Sequence, residues 1–168
     1  MKGGDRMKNT SARPADDIER IVYMYGNMLF RLCFITLGNA ADAEDIVQET
    51  LIKYLQKEAD FENEEHEKAW FIKVATNKCK DMLRFRSNHP VVNIEEINEL
   101  TNDISSSGIL DALMSLPDKF RIVLVLYYVE ECSIKDIAKV IGRTESAVKM
   151  RLQKGRRLLR EVYGREYM

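Results

Sequence analysis

The chain has 168 residues, 45% of them hydrophobic and 32% charged, with a formal net charge of -1. That length allows one moderate domain or two small helical ones, and the apolar content suffices to bury real cores. No apolar run is long enough to span a bilayer, the N-terminus lacks a secretory apolar segment, and three dispersed cysteines suit neither a disulfide framework nor a metal site. The expectation is a cytoplasmic protein in which Cys33, Cys79 and Cys132 are buried thiols and no metal or other cofactor is held.

In chain order, residues 1–15 are polar and read as a disordered or loosely attached tail. Helical periodicity runs from about Asp16 to Leu37 and stops at Gly38-Asn39. A second helix is predicted over Ala41 to Lys57, a loop over Glu58 to Glu67, and a third helix over Lys68 to Arg86. Residues 88–107, with His-Pro, several Asn and Ser-Ser-Ser-Gly at the end, form a linker. Beyond it come a short helix over Ile109 to Ser115, a Leu-Pro break, a helix from Pro117 to about Glu130, and two further helices. Nothing alternates with period two, so the fold class is all-α: two small helical domains, residues 16–87 and 108–168, joined by a flexible acidic linker.

Charge is segregated along this plan. Residues 41–67 carry a net -8, 68–86 a net +5, 88–107 a net -4 and 133–168 a net +6. Two basic blocks between acidic ones predict two nucleic-acid surfaces, with acidic surfaces left for other partners.

Residues 133–155 hold the most specific pattern. Ser133 caps a short helix whose apolar stripe is Ile134, Ile137, Ala138 and Ile141; Gly142 makes the turn, and Thr144 caps the next helix. Val148, Leu152, Gly155, Leu159 and Val162 share one side of that helix, while Ser146, Lys149, Met150, Gln153 and Arg157 share the other. This is the layout of a helix-turn-helix, with the early turns placed to reach base edges and Lys154, Arg156, Arg157 and Arg160 placed for phosphates.

In the second helix, Ala43, Ile46, Val47, Thr50, Leu51 and Tyr54 form a core stripe and Asp45, Gln48, Glu49, Ile52 and Gln56 point away. An outward Ile52 among acids and amides suits docking to a basic protein partner, though one exposed Ile is also ordinary. In the third helix, Phe71, Val74, Ala75, Met82 and Leu83 account for a core, leaving Lys73, Asn77, Lys78, Lys80, Arg84 and Arg86 as a basic flank with Trp70 near its start. A ring beside cations suits single-stranded nucleic acid; equally, Trp70 can be core.

Four runs, Asp42 to Lys53, Ala69 to Arg84, Leu116 to Gly142 and Val148 to Leu159, resemble bacterial RNA polymerase sigma factors of the extracytoplasmic-function type, in the right order over about residues 20 to 162. The resemblance implies a non-enzymatic initiation factor that binds core RNA polymerase and promoter DNA and assists melting. It implies that Asp45, Gln48, Glu49 and Ile52 grip the clamp helices of the polymerase. Trp70, Asn77, Lys80, Asp81 and Arg84, with Lys73 of the same flank, would hold the single-stranded minus-10 element. The loop Glu58 to Glu67 would capture a flipped base. Arg143, Thr144, Glu145, Ser146, Lys149, Met150 and Gln153, with Arg157 beside them, would read the minus-35 duplex. The acidic linker would thread through the polymerase, and an anti-sigma factor is an expected partner. The loop before Trp70 is more acidic than expected beside DNA, and Gly155 replaces a frequent Ala at roughly 1 kcal/mol of helix propensity.

Two other classes compete. A free-standing dimeric helix-turn-helix regulator would use residues 133–155 but leaves Asp42 to Lys53 and the second basic block unexplained. An enzyme built on the Glu64-Glu65-His66-Glu67 cluster lacks a second nearby histidine, and a solvated acidic loop accounts for those residues.

Overall fold

The computed structural model describes residues 13–57, 60–87 and 108–167, and among these the only regular structure is helical. The expected tail over residues 1–12 and the expected linker over 88–107 lie outside the described residues.

The first three helices follow from their caps. α1 spans Ala15–Leu37 and ends at Gly38, whose φ of 68° lets its N–H bond the Phe34 carbonyl at 2.7 Å. α2 spans Ala40–Leu55; Asn39 Oδ1 accepts from the Asp42 N–H at 2.8 Å, satisfying a donor that the first turn leaves open. α3 spans Glu64–Ser87, beginning a full turn before the Lys68 start read from the sequence. The reason is Asn63, whose Oδ1 accepts from the His66 N–H at 2.8 Å, with Glu64, Glu65 and Glu67 following in a first turn that favours negative charge. The expected Glu58 to Glu67 loop is correspondingly shorter.

These helices bury Ile21, Leu29, Leu32, Ile46, Tyr54 and Phe71 against one another. A polar seam closes one end. Glu67 is buried, not solvated: it accepts from Arg20 at 2.9 and 3.1 Å and from Tyr25 at 3.1 Å. The Arg20 guanidinium holds its carboxyl below the usual range against the opposing effect of burial. Arg13, read as part of the tail, is anchored instead, with its guanidinium 4.2 Å from the Tyr54 ring centre and bonded to Asp17.

The second unit holds α4 (Ile109–Met114), α5 (Asp118–Leu124), α6 (Ile134–Ile141) and α7 (Glu145–Tyr167). The helix predicted from Pro117 to Glu130 is regular only in its first half. Val125–Val129 form a π-helical turn, closed by the Glu130 N–H on the Val125 carbonyl at 3.0 Å, and Glu131 follows at φ 54°. Ser133 and Thr144 cap as read, accepting from Asp136 N–H at 3.1 Å and Ala147 N–H at 3.2 Å, and Gly142 turns the chain at φ 64°. Gly155 has a packing reason: a Cβ there would lie 3.2 Å from Leu124 Cδ1, so α5 and α7 approach closely because the side chain is missing.

The two units are packed on each other, a contact that the expected pair of domains on a flexible linker does not imply. α1 meets α4, α5 and the π turn, and α6 rests on α3. Arg121 donates to the Thr36 carbonyl at 2.8 Å, Arg31 pairs with Glu130 at 3.2 Å, and Lys80 Nζ donates to the Ile141 carbonyl at 3.3 Å. Val140, off the predicted stripe of α6, is buried because that helix faces both α7 and α3.

Candidate nucleic-acid and polymerase interface

Three surfaces carry the candidate residues. On α2, Asp45, Gln48, Glu49 and Ile52 recur at intervals of three and four, so they form one exposed stripe. Ile52 keeps 52% of its surface in solvent, one of the large apolar groups that the described residues leave only half covered. The opposite side is seated by Ala43, Ile46, Thr50 and Tyr54, which are buried; Val47 and Leu51 are half-buried.

Along α3, Trp70, Lys73, Asn77, Lys80, Asp81 and Arg84 follow one face, with Lys73, Asp81 and Arg84 exposed and the others half-buried. The two readings of Trp70 meet in one geometry. Its ring packs edge-on to Phe61 at 5.7 Å, Tyr54 at 6.2 Å and Phe71 at 5.1 Å, yet part of it stays in solvent at the mouth of this aromatic group. Lys78 bonds Glu49 at 2.6 Å and so joins the α3 flank to the acidic stripe of α2. Arg84 pairs with Asp81 at 3.2 Å on the surface. Arg86 is no part of an open basic flank. It turns inward to the Leu37 carbonyl at 2.9 Å and to Asp42, fastening α3 across the α1–α2 junction.

At the helix-turn-helix, Val148 and Leu152 are buried, and Arg143, Thr144, Glu145, Ser146, Lys149, Met150, Gln153 and Arg157 are all exposed. Met150 shows 70% of its surface, unusual for a thioether unless something apolar meets it, such as a thymine methyl. The exposed γ-hydroxyl of Thr144 is engaged as a cap, and Arg157 faces Glu161 at 3.7 Å.

The sequence reading missed the groups that join the domains. Arg121 is 5% exposed and donates to the carbonyls of Met114, Leu116 and Thr36 and to Asp118. Its burial pushes the guanidinium below its usual range, opposed by the charge of Asp118. A charge inside an otherwise apolar run, Phe120 to Leu126, was the available signal. Cys33 and Cys79 are buried together; the hydrogen bond that the Cys79 thiol makes to Cys33, and then burial, favour its protonated form and push it up. Burial raises Cys132 to about 11.

A helix-turn-helix that follows a helical domain with a basic flank on one helix and an exposed acidic stripe on another has the make-up of a transcription initiation protein of the sigma-70 class. Residues 21–89 match the family described as Sigma-70 region 2, and residues 107–159 match Sigma-70, region 4. The ECF RNA polymerase sigma factor SigW of Bacillus subtilis (strain 168) is 30% identical over 175 residues, covering 93% of this chain and 94% of the relative. RNA polymerase sigma factor SigV of the same organism is 30% identical over 135 residues, covering 78% and 81%. Among solved structures, the sigma factor RpoE of Bartonella quintana, in complex with the anti-sigma factor NepR, aligns with a TM-score of 0.69 at 21% identity over 90% of this chain and 99% of that one. CnrH, in complex with the cytosolic domain of CnrY, aligns with a TM-score of 0.70 at 21% identity over 92% of each chain. These two likenesses are of fold. The chain belongs to the ECF RNA polymerase sigma factor family. It is a transcription initiation factor that takes RNA polymerase to specific promoters, and a free-standing dimeric regulator, which would leave the region 2 match without a role, is not favoured. No helix among the described residues is long and apolar enough to cross a membrane.

Proposed function

We propose a division of labour among the three surfaces. The domain of residues 16–87 binds core polymerase through Asp45, Gln48, Glu49 and Ile52 and takes the minus-10 strand along Trp70, Lys73, Asn77, Lys80, Asp81 and Arg84. The domain of residues 108–168 reads the minus-35 duplex through Arg143, Thr144, Glu145, Ser146, Lys149, Met150, Gln153 and Arg157, with residues 88–107 as the linker. The protein works in the cytoplasm, supplies no catalytic group of its own, and is held inactive by an anti-sigma partner. The complexes of RpoE with NepR and of CnrH with CnrY favour that last point.

The observation that carries the reading is the α2 stripe. Ile52 keeps about half of its surface in solvent beside Asp45 and Gln48, and among the described residues only Glu49 of the stripe is tied to the domain, through Lys78, so an apolar group among acids and amides is left for a partner to cover. Basic residues beside a half-covered ring on α3 support strand binding, because bases stack on rings while phosphates follow cations.

The test is a pull-down with bacterial core RNA polymerase, comparing the full chain with a Gln48→Ala, Glu49→Lys, Ile52→Lys variant. Since these side chains are exposed, the variant should fold with stability within about 1 kcal/mol, allowing for the lost Lys78 contact. Stoichiometric capture of the parent and none of the folded variant is expected; equal capture of both would remove the α2 assignment.

A further inference from the structure

The two proposed DNA-facing surfaces meet across a cleft of about 280 Å³ between α3, the start of α5 and the helix-turn-helix. Lys80 and Arg84 line it from one domain and Lys119, Arg143 and Arg151 from the other; the carboxylate in its wall is Asp118, already bonded to Arg121. Arg84 is partly answered by Asp81, which leaves Lys80, Lys119, Arg143 and Arg151 as a concentration of positive charge in a confined space.

That concentration has a physical cost. The Lys80 ammonium is pushed below its usual range by burial and then by Arg84, Arg143 and Arg151, and Arg151 is lowered by burial and by Arg143. Docking the domains therefore brings like charges together, against the pull of the Arg121 and Arg31 contacts. A compact anion carrying several charges would turn this repulsion into attraction from both walls at once. Guanidinium groups pair bidentately with phosphate oxygens, and a cleft this small admits a phosphate chain but no duplex.

We propose that this cleft binds a compact polyphosphate, either inorganic or the phosphate chain of a nucleoside triphosphate, which bridges the two domains and holds them closed. Such a ligand competes with promoter DNA for Lys80, Arg84 and Arg143, and by linkage DNA weakens the ligand by the same factor. The site is independent of the α2 stripe, so loss of polymerase binding and loss of anion binding are separable failures.

Calorimetric titration of the full chain with inorganic tripolyphosphate, at fixed ionic strength, tests the proposal, with adenosine triphosphate in a second arm. Saturable binding of one anion per chain is expected, weakened about tenfold or more in an Arg143→Gln, Arg151→Gln variant. A Lys53→Gln, Lys68→Gln variant removes the same net charge from exposed positions elsewhere and should bind like the parent. Equal affinity in the two arms assigns the phosphate chain alone, and tighter triphosphate binding assigns the nucleotide. Absence of saturable binding in both arms overturns the site, as does equal loss in both variants or full retention in the arginine variant.

Discussion

The guanidinium of Arg121, in the helix-turn-helix domain, donates to the main-chain carbonyl of Thr36 in the last turn of α1 at 2.8 Å. The last carbonyls of a helix lack partners within it, and a cation there also meets the negative end of the helix dipole. One side chain thus completes the first domain's α1 while bonding its own Met114 and Leu116 carbonyls.

Replacement of Arg121 tests this junction. Arg121→Met keeps the apolar stem but leaves three carbonyls without their donor, and should cost about 3 kcal/mol by denaturant unfolding. Small-angle scattering should show a more extended particle, because the remaining polar contacts are weak: the Arg31–Glu130 pair has its arginine half exposed to solvent, and Lys80 reaches the Ile141 carbonyl only at 3.3 Å. A variant as stable and compact as the parent would show that Arg121 does not hold the domains together.

Glu67 predicts an acid-sensitive fold. Its folded carboxyl lies below the ordinary value of 4.5, chiefly through the hydrogen bond from Arg20, so the stabilisation is present above about pH 4.5 and is lost as pH falls through the folded value. Glu67→Gln should be about 2 kcal/mol less stable at pH 7, a figure kept low because Arg20 remains 42% exposed. The gap between parent and variant should narrow as pH drops below about 4.5. Asp17 acts in the same direction: burial raises its carboxyl, but bonds from Tyr54, Arg20 and Arg13 more than offset this. A gap that stays constant with pH would assign the cost of the substitution to packing.

Promoter binding should separate positions on α7. With core polymerase present, Arg160→Ala should make the log-log salt dependence of duplex binding shallower by about 0.9, the signature of one lost phosphate contact, with similar losses on all sequences. Gln153→Ala should leave that slope unchanged and cost about 1–3 kcal/mol only on the preferred minus-35 sequence. Matching salt slopes and matching losses for both variants on every sequence would erase the distinction between phosphate and base contacts.

Much of this was legible in the chain because it is local. Caps at Ser133 and Thr144, the left-handed turns at Gly38 and Gly142, and the buried stripes of α2 and α7 depend on residues within a turn or two of each other. The exposure of Ile52 and of the helix-turn-helix residues follows from the same periodicity. The early start of α3 was also written locally, in Asn63 and the acids after it, but acidity there reads equally well as a solvated loop.

Tertiary structure alone decided what the charged residues do. By type, Glu67, Arg86 and Arg121 belong on a surface, and all three are drawn inward by partners 47, 49 and 85 residues away in the chain. Only Arg121 carries a local sign of this, its place in an apolar run; for the other two the chain gives none, since burying a charge is unfavourable until a distant acceptor is brought within hydrogen-bond reach. Lys80 follows the same rule through the Ile141 carbonyl, 61 residues away, while Val140 is covered because two helices flank its own. Sequence determined the helices, their faces and the family, through contacts that span a few residues. The docking of the two domains, and the cationic cleft it creates, arose from contacts between residues up to 99 positions apart, whose free energy depends on which helices come to lie side by side.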